Sequence, residues 1–103
     1  MNTRQPSGES CIPALTLFLT GTAPRSQRAR ANLAHMLEQL GYRKVKAYEI
    51  DLLQQPEEGM AHSVFATPAL LKTSRTGEVA MLYGDLSDEH KLRRFLSELG
   101  TGY

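Results

Sequence analysis

Sulfur chemistry is almost absent from this chain. Its single cysteine is Cys11, so no intrachain disulfide can form, and two-cysteine redox chemistry and a cysteine-rich zinc site are excluded. A dominant charge is missing too: twelve Lys+Arg stand against eleven Asp+Glu, a net charge of +1. That balance sets up no field for capturing nucleic acid or an anionic membrane surface. The longest mostly apolar run, Ala14 to Leu19, is far too short to span a bilayer. Met1 to Ser10 holds no apolar stretch of signal-peptide length. A cytoplasmic protein is the default expectation, with neither nucleic acid nor membrane as partner.

What remains is the composition of an ordinary globular domain. The chain has 103 residues, 41% of them hydrophobic and 22% charged, which suits one domain with one modest core. The polar segment Met1 to Ser10, with Pro6 and Gly8, reads as the body of a disordered leader over residues 1–12. A single domain over 13–103 is expected to follow.

Periodicity orders the elements. Ala14 to Thr20 is rich in β-formers and nearly continuous in apolar character, as in a strand buried on both faces. A helix is expected from Pro24 or Ser26 to Leu40. Ala29, Leu33, Met36, Leu37 and Leu40 form its apolar stripe, and Gly41 stands at a left-handed C-terminal cap. Lys44 to Leu52 is a second strand candidate. Gln54 to Val64 opens on Pro56, Glu57 and Glu58 but contains Gly59, so a short or irregular helix is expected. Ala69–Thr73 and Val79–Tyr83 read as strands joined by a turn at Ser74–Gly77. Ser87 reads as the N-cap of a last helix, with Asp88 and Glu89 in its first turn. Leu92, Phe95, Leu96 and Leu99 lie on its buried side and Gly100 stops it. The order β-α-β-α-β-β-α, with a right-handed first crossover, predicts an α/β fold with a four-strand mixed sheet and helices on both faces. That is the thioredoxin-like arrangement.

In thioredoxin-like enzymes the reactive cysteines lie between the first strand and first helix, where the helix N-terminus stabilises a thiolate. Here that junction reads Thr22, Ala23, Pro24, Arg25. Proline fits the turn, but no sulfur flanks it, and Cys11 lies well before it. Disulfide exchange is therefore rejected and no catalytic residue is assigned. Ala66-Thr67-Pro68-Ala69 resembles the segment that carries a cis proline in such folds, although a proline before a strand is also ordinary. In glutathione-binding relatives the backbone beside that proline holds the peptide. This leaves a glutathione- or thiol-binding enzyme as the alternative function, with Ser26 near the relevant helix end. His35, His62 and His90 are too widely spaced for a metal site, and no metal or cofactor is expected. Arg25, Arg28 and Arg30 crowd the N-terminal half of the first helix. They form either a solvated face or a patch for an acidic partner.

From Leu15 to Leu99 the chain resembles the KaiB family, small proteins of the bacterial circadian clock and related systems. The resemblance rests on Leu17-Phe-Leu-Thr-Gly-Thr-Ala-Pro24 with Ser26 and Arg28-Ala29, Ile50-Asp51-Leu52 with Gln55-Pro56, Ala66-Thr-Pro-Ala-Leu70, and Gly84-Asp-Leu-Ser-Asp88. It implies a non-enzymatic protein that binds a KaiC-like ATPase or a signalling histidine kinase, and a capacity to self-associate. The sensor domain of a clock-linked histidine kinase is similar. The family also implies two folds for one sequence, the thioredoxin-like state and a ground state with a rearranged C-terminal half. Thr73-Ser-Arg-Thr-Gly77 lacks the prolines of clock-type members and makes a good hairpin turn, which favours the thioredoxin-like state. The stretch His62-Ser63-Val64-Phe65 lacks the basic residue that members often carry before Ala-Thr-Pro. By resemblance the partner-binding residues are Glu57, Glu58, His62, Ser63, Gly84, Asp85 and Asp88. Helix capping and turn geometry account for the same residues equally well. Pro24, Thr67 and Pro68 are assigned structural roles.

Overall fold

The computed structural model describes residues 14–97 apart from 43, 44, 46 and 75. The leader over 1–12, Cys11, Lys44 at the start of the second expected strand, and Leu99 and Gly100 at the end of the last helix lie outside the described residues. The elements are β1 (Leu15–Leu19), α1 (Pro24–Gln39), β2 (Ala47–Asp51), α2 (Pro56–Ala61), β3 (Ala69–Thr73), β4 (Val79–Tyr83) and α3 (Glu89–Ser97).

The strands form one sheet in the order β2-β1-β3-β4. β1 runs parallel to β2 and antiparallel to β3, and β4 is antiparallel to β3. This is the expected thioredoxin-like sheet. All of β1 is buried, because it is central and covered on both sides. Leu15, Leu17 and Leu19 face α1 and α3, packing with Ala29, Leu33, Met36, Leu92 and Leu96. Phe18 faces the other way, with Ile50, Ala69 and Leu71. Alternation along the strand thus splits the core into two layers.

The helix ends follow from local chemistry. Pro24 opens α1, where its missing N–H costs nothing. Gly41, with φ +79°, closes it. Its N–H donates to the Glu38 carbonyl at 3.1 Å, and the Tyr42 N–H donates to the Leu37 carbonyl at 3.0 Å. These are the paired bonds of a Schellman ending. α2 is short, as expected. Its Gly59 is buried, and a β-carbon there would meet Leu52 Cδ1 at 3.4 Å. The glycine therefore serves the close approach of the helix to the β2 end.

Two boundaries differ from the sequence reading. The second strand begins at Ala47, while Val45 packs against the α1 layer from outside the strand. The cap of α3 is Asp88, not Ser87. Asp88 Oδ1 accepts the Lys91 N–H at 3.1 Å, and the Asp88 carbonyl accepts the Leu92 N–H at 3.0 Å. The shorter Ser87 is drawn instead toward Asp85, whose Oδ1 accepts its N–H at 3.1 Å. Lys72 joins β3 to α3. Its Nζ donates to the Phe95 carbonyl at 2.9 Å and sits 4.5 Å from the centre of that ring.

Candidate functional site

The loops after β1, β2 and β4 and the one before β3 meet at one end of the sheet. The Thr22–Arg25 junction, Thr67–Pro68 and Gly84–Asp88 lie at or beside this end. The β1–α1 corner is built from backbone donors and short side chains. Ser26 is 2% exposed, and its Oγ accepts the Thr20 N–H at 3.0 Å. The Thr20 and Thr67 hydroxyls contact each other. The Thr67–Pro68 bond is cis, Pro68 is fully buried, and its carbonyl accepts the Gly84 N–H at 2.9 Å. Pro24, Thr67 and Pro68 lie in the framework of the corner.

Asp51 closes the corner from β2. Its Oδ1 accepts the N–H groups of Gly21 and Leu53, each at 2.9 Å. Those donors, the Gly21 N–H foremost, hold its carboxyl below the usual range. Sequence inspection did not give Asp51 this role. Its position at a strand end, opposite a Gly-Thr turn, was the available signal.

The junction where a thiolate would sit reads Thr22, Ala23, Pro24 and Arg25, without sulfur. Ser26 does not replace it, since its oxygen is buried and engaged by the backbone. Chemically, the corner offers a set of satisfied hydrogen bonds.

The loop after β4 is a second rigid unit. Gly84 takes φ +114°, and Leu86, with φ +63°, turns its side chain into the core. Asp85 accepts from Arg28 Nε at 3.0 Å, and the Asp85 carbonyl accepts from Asn32 Nδ2 at 2.9 Å. The Ser87 hydroxyl, Arg28 and the Ser87 N–H lower the Asp85 pKa to about 2. Arg28 is therefore an internal tie. So is Arg30, whose Nε lies 3.1 Å from Glu49 on β2. Both side chains stay about half exposed in these pairs, and Arg25 is exposed beside them.

The predicted partner-binding residues fall into two groups. Glu57, Glu58, His62 and Ser63 lie on or just after α2. Glu58 faces His62 at 3.4 Å, and the His62 ring tilts over Phe18 with centroids 5.4 Å apart. Gly84, Asp85 and Asp88 form the β4–α3 loop, where they line a shallow cleft with Arg25 and Lys91. The Tyr83 hydroxyl approaches the Ser63 carbonyl at 3.5 Å and links the groups. Apolar surface missed by the sequence reading surrounds the first group. Met60 is 85% exposed and Phe65 87%. Periodicity gives no warning of this, since apolar residues in a helical segment ordinarily read as core. A separate groove of about 560 Å³ lies between α1 and β2, lined by Leu33, Leu37, Val45 and Ala47 among others. None of the predicted site residues lines it.

Comparison with known proteins places this geometry. The family model described as "KaiB domain" matches residues 16–98. The chain belongs to the KaiB family. A circadian clock oscillator protein KaiB from Synechococcus sp. (strain RCC307) is 36% identical over 80 residues, which are 76% of this chain and 70% of that protein. Among solved structures, the N-terminal domain of Synechococcus elongatus SasA matches with TM-score 0.68 at 21% identity, covering 95% of this chain and 94% of that domain. The mitochondrial thioredoxin 3 of Saccharomyces cerevisiae matches with TM-score 0.68 at 13% identity, covering 82% and 76%. At these identities the two structures establish the thioredoxin-like fold alone. The KaiB family segments quoted from the sequence are the ones that build the corner, the Thr67–Pro68 turn and the Asp85 loop. Within the described residues no helix is long and apolar enough to cross a membrane, and no cluster of three or more metal-ligating side chains occurs.

Proposed function

We propose that this KaiB-family protein is a non-catalytic binding module of circadian or clock-related regulation, and that it docks on a KaiC-like ATPase or a signalling histidine kinase through the α2 side of its sheet. The observation that carries the reading is the apolar exposure around α2. Met60 and Phe65 stand open beside the acidic Glu57 and Glu58. An exposed apolar patch rimmed by charge is the usual form of a protein-docking surface. Glu57, Glu58, His62 and Ser63 then form its polar rim, with Gly84, Asp85 and Asp88 as a second contact held rigid by Arg28. The engaged Ser26 oxygen and the missing sulfur support a role without thiol chemistry, against the glutathione-binding alternative.

The test is capture from the native host with the immobilised full chain. A KaiC-like ATPase or a histidine kinase is expected in the wild-type eluate and is expected to be lost with Phe65→Asp. Recovery of neither, or equal recovery with the variant, overturns the proposal. A glutathione titration followed by amide shifts tests the alternative. Shifts clustered at Thr22 to Ser26 and Thr67 would favour it.

A further inference from the structure

The chain has four methionines, and the three among the described residues have very different surroundings. Met36 on α1 is 2% exposed, inside the core with Leu15, Leu17 and Leu33. Met81 on β4 is half-buried and packs against the Phe18 layer. Met60, near the end of α2, is 85% exposed. A thioether usually sits inside, where its flexible chain fills gaps. Here one stands outward from a fixed backbone. Gly59 beside it is buried against Leu52. The Gly59 and Met60 carbonyls accept the Val64 and Ser63 N–H groups at 2.7 and 3.2 Å.

Hydrogen peroxide oxidises a thioether by direct contact. The sulfur lone pair attacks one peroxide oxygen, an S–O bond forms and the O–O bond breaks. The departing hydroxide takes the proton from the new S–OH group and leaves as water. Sulfur gives up two electrons and the peroxide gains them. No other side chain takes part, so access to the sulfur ranks the three sites, with Met60 first and Met36 last. The product is a polar sulfoxide. A sulfoxide reductase returns it to the thioether, with two thiols becoming a disulfide and the oxygen leaving as water.

We propose that Met60 is a reversible oxidation site, at which hydrogen peroxide turns the α2 docking surface from apolar to polar and weakens its hold on the partner; this rests on the docking role given to that surface. Met60 and Phe65 are the most open large apolar residues among those described. A sulfoxide at Met60 puts a strong acceptor into that patch. Docking must then strip water from the S–O group, which is unfavourable unless a donor replaces the water. The acidic part of the rim, Glu57 and Glu58, consists of acceptors when ionised and offers the sulfoxide oxygen no hydrogen bond. The fold itself is untouched, because the Met60 side chain contributes almost nothing to the buried core.

Titration of the full chain with hydrogen peroxide, followed by peptide mass mapping, is the first test. Met60 is expected to gain one oxygen before Met81, with Met36 at least about tenfold slower than Met60. Circular dichroism at the dose that converts Met60 is expected to match the untreated chain. Capture from the native host then compares the two forms. Recovery of the KaiC-like ATPase or histidine kinase is expected to fall about tenfold on oxidation and to return after treatment with a methionine sulfoxide reductase. Met60→Gln, polar and inert to peroxide, is expected to reproduce the loss. Met60→Leu keeps Cys11 and the other methionines, and peroxide is expected to leave its capture at its own untreated level. Oxidation of Met36 as fast as Met60 overturns the proposal. So does equal capture by the untreated and oxidised chains, or a loss that the reductase does not reverse. Absence of both partners from the untreated eluate overturns the docking role, and the proposal falls with it.

Discussion

Arg28 on α1 holds Asp85 on the loop after β4, Nε to Oδ2 at 3.0 Å, across 57 residues of sequence. The contact fixes the family's Gly-Asp-Leu-Ser-Asp loop to the helix that starts at the sulfur-free corner. The Asp85 side chain is mostly shielded while Arg28 is half open, so the pair orders the loop more than it stabilises the fold.

Acid should loosen this loop. The folded-state pKa of Asp85 is about 2 against an ordinary 3.8, with the Ser87 hydroxyl as the largest cause and Arg28 next. A depressed carboxyl contributes stability above its unfolded pKa and loses it as pH falls through the folded value. The contribution of Asp85 is thus complete above about pH 4 and gone below about pH 2. Asp85→Asn is expected to lower the urea midpoint at pH 6, and the gap to wild type should close between pH 4 and pH 2. Asp51, lowered by the Gly21 and Leu53 N–H groups, keeps part of the acid slope in the variant. A gap independent of pH would contradict the assignment.

Capping of α3 separates two neighbours. Asp88→Ala removes the acceptor of the Lys91 N–H and is expected to cost about 1 kcal/mol. Ser87→Ala leaves that bond in place and is expected to cost less. Chemical denaturation of both variants decides between them, and the reverse order would restore Ser87 as the cap.

The sequence made the strands, the core stripe of α1, Gly41 and the proline turn legible, because each depends on near neighbours and on periodicity. Gly41 needs only its own positive φ and the end of an apolar stripe. The roles of Ser87, Arg28 and Arg30 were not legible. A cap is chosen by competition, and Ser87 was already committed to Asp85. The arginine roles depend on partners far along the chain, 57 residues away for Arg28 and 19 for Arg30. Met60 and Phe65 escaped for a third reason. Met60 lies on the outward side of α2 and Phe65 in the loop that follows it, and both stay open.

Core packing offers a sharper stability test. Phe18 is fully buried at the centre of the α2 layer with Ile50, Ala69 and Leu71. Phe18→Ala is expected to cost about 3–5 kcal/mol. That is a large share of the ~5–15 kcal/mol that holds a domain together, so the variant should be largely unfolded near 37 °C. Phe65→Ala, at an open site, should fall within about 0.5 kcal/mol of wild type. Thermal unfolding by circular dichroism compares the two. Equal losses would mean that the burial pattern does not hold in solution.

The hairpin that keeps β3 and β4 together depends on Gly77. Its φ is +94°, and its N–H donates to the Ser74 carbonyl at 3.0 Å while Ser74 Oγ accepts from the Glu78 N–H at 3.0 Å. A β-carbon at Gly77 meets nothing within 4 Å, so the cost of a substitution is conformational and not steric crowding by neighbours. Gly77→Ala is expected to cost about 1–3 kcal/mol. Gly77→Pro goes further, since it removes the donor and confines φ to negative values. The turn precedes β4 and α3 in the chain, so weakening it should act on both elements. Secondary chemical shifts of the wild type should be extended over Val79 to Tyr83 and helical over Glu89 to Ser97. Gly77→Pro is expected to diminish both patterns together while leaving β1 and α1 intact. Loss of the β4 pattern with α3 unchanged would show that the two elements do not stand or fall as one unit.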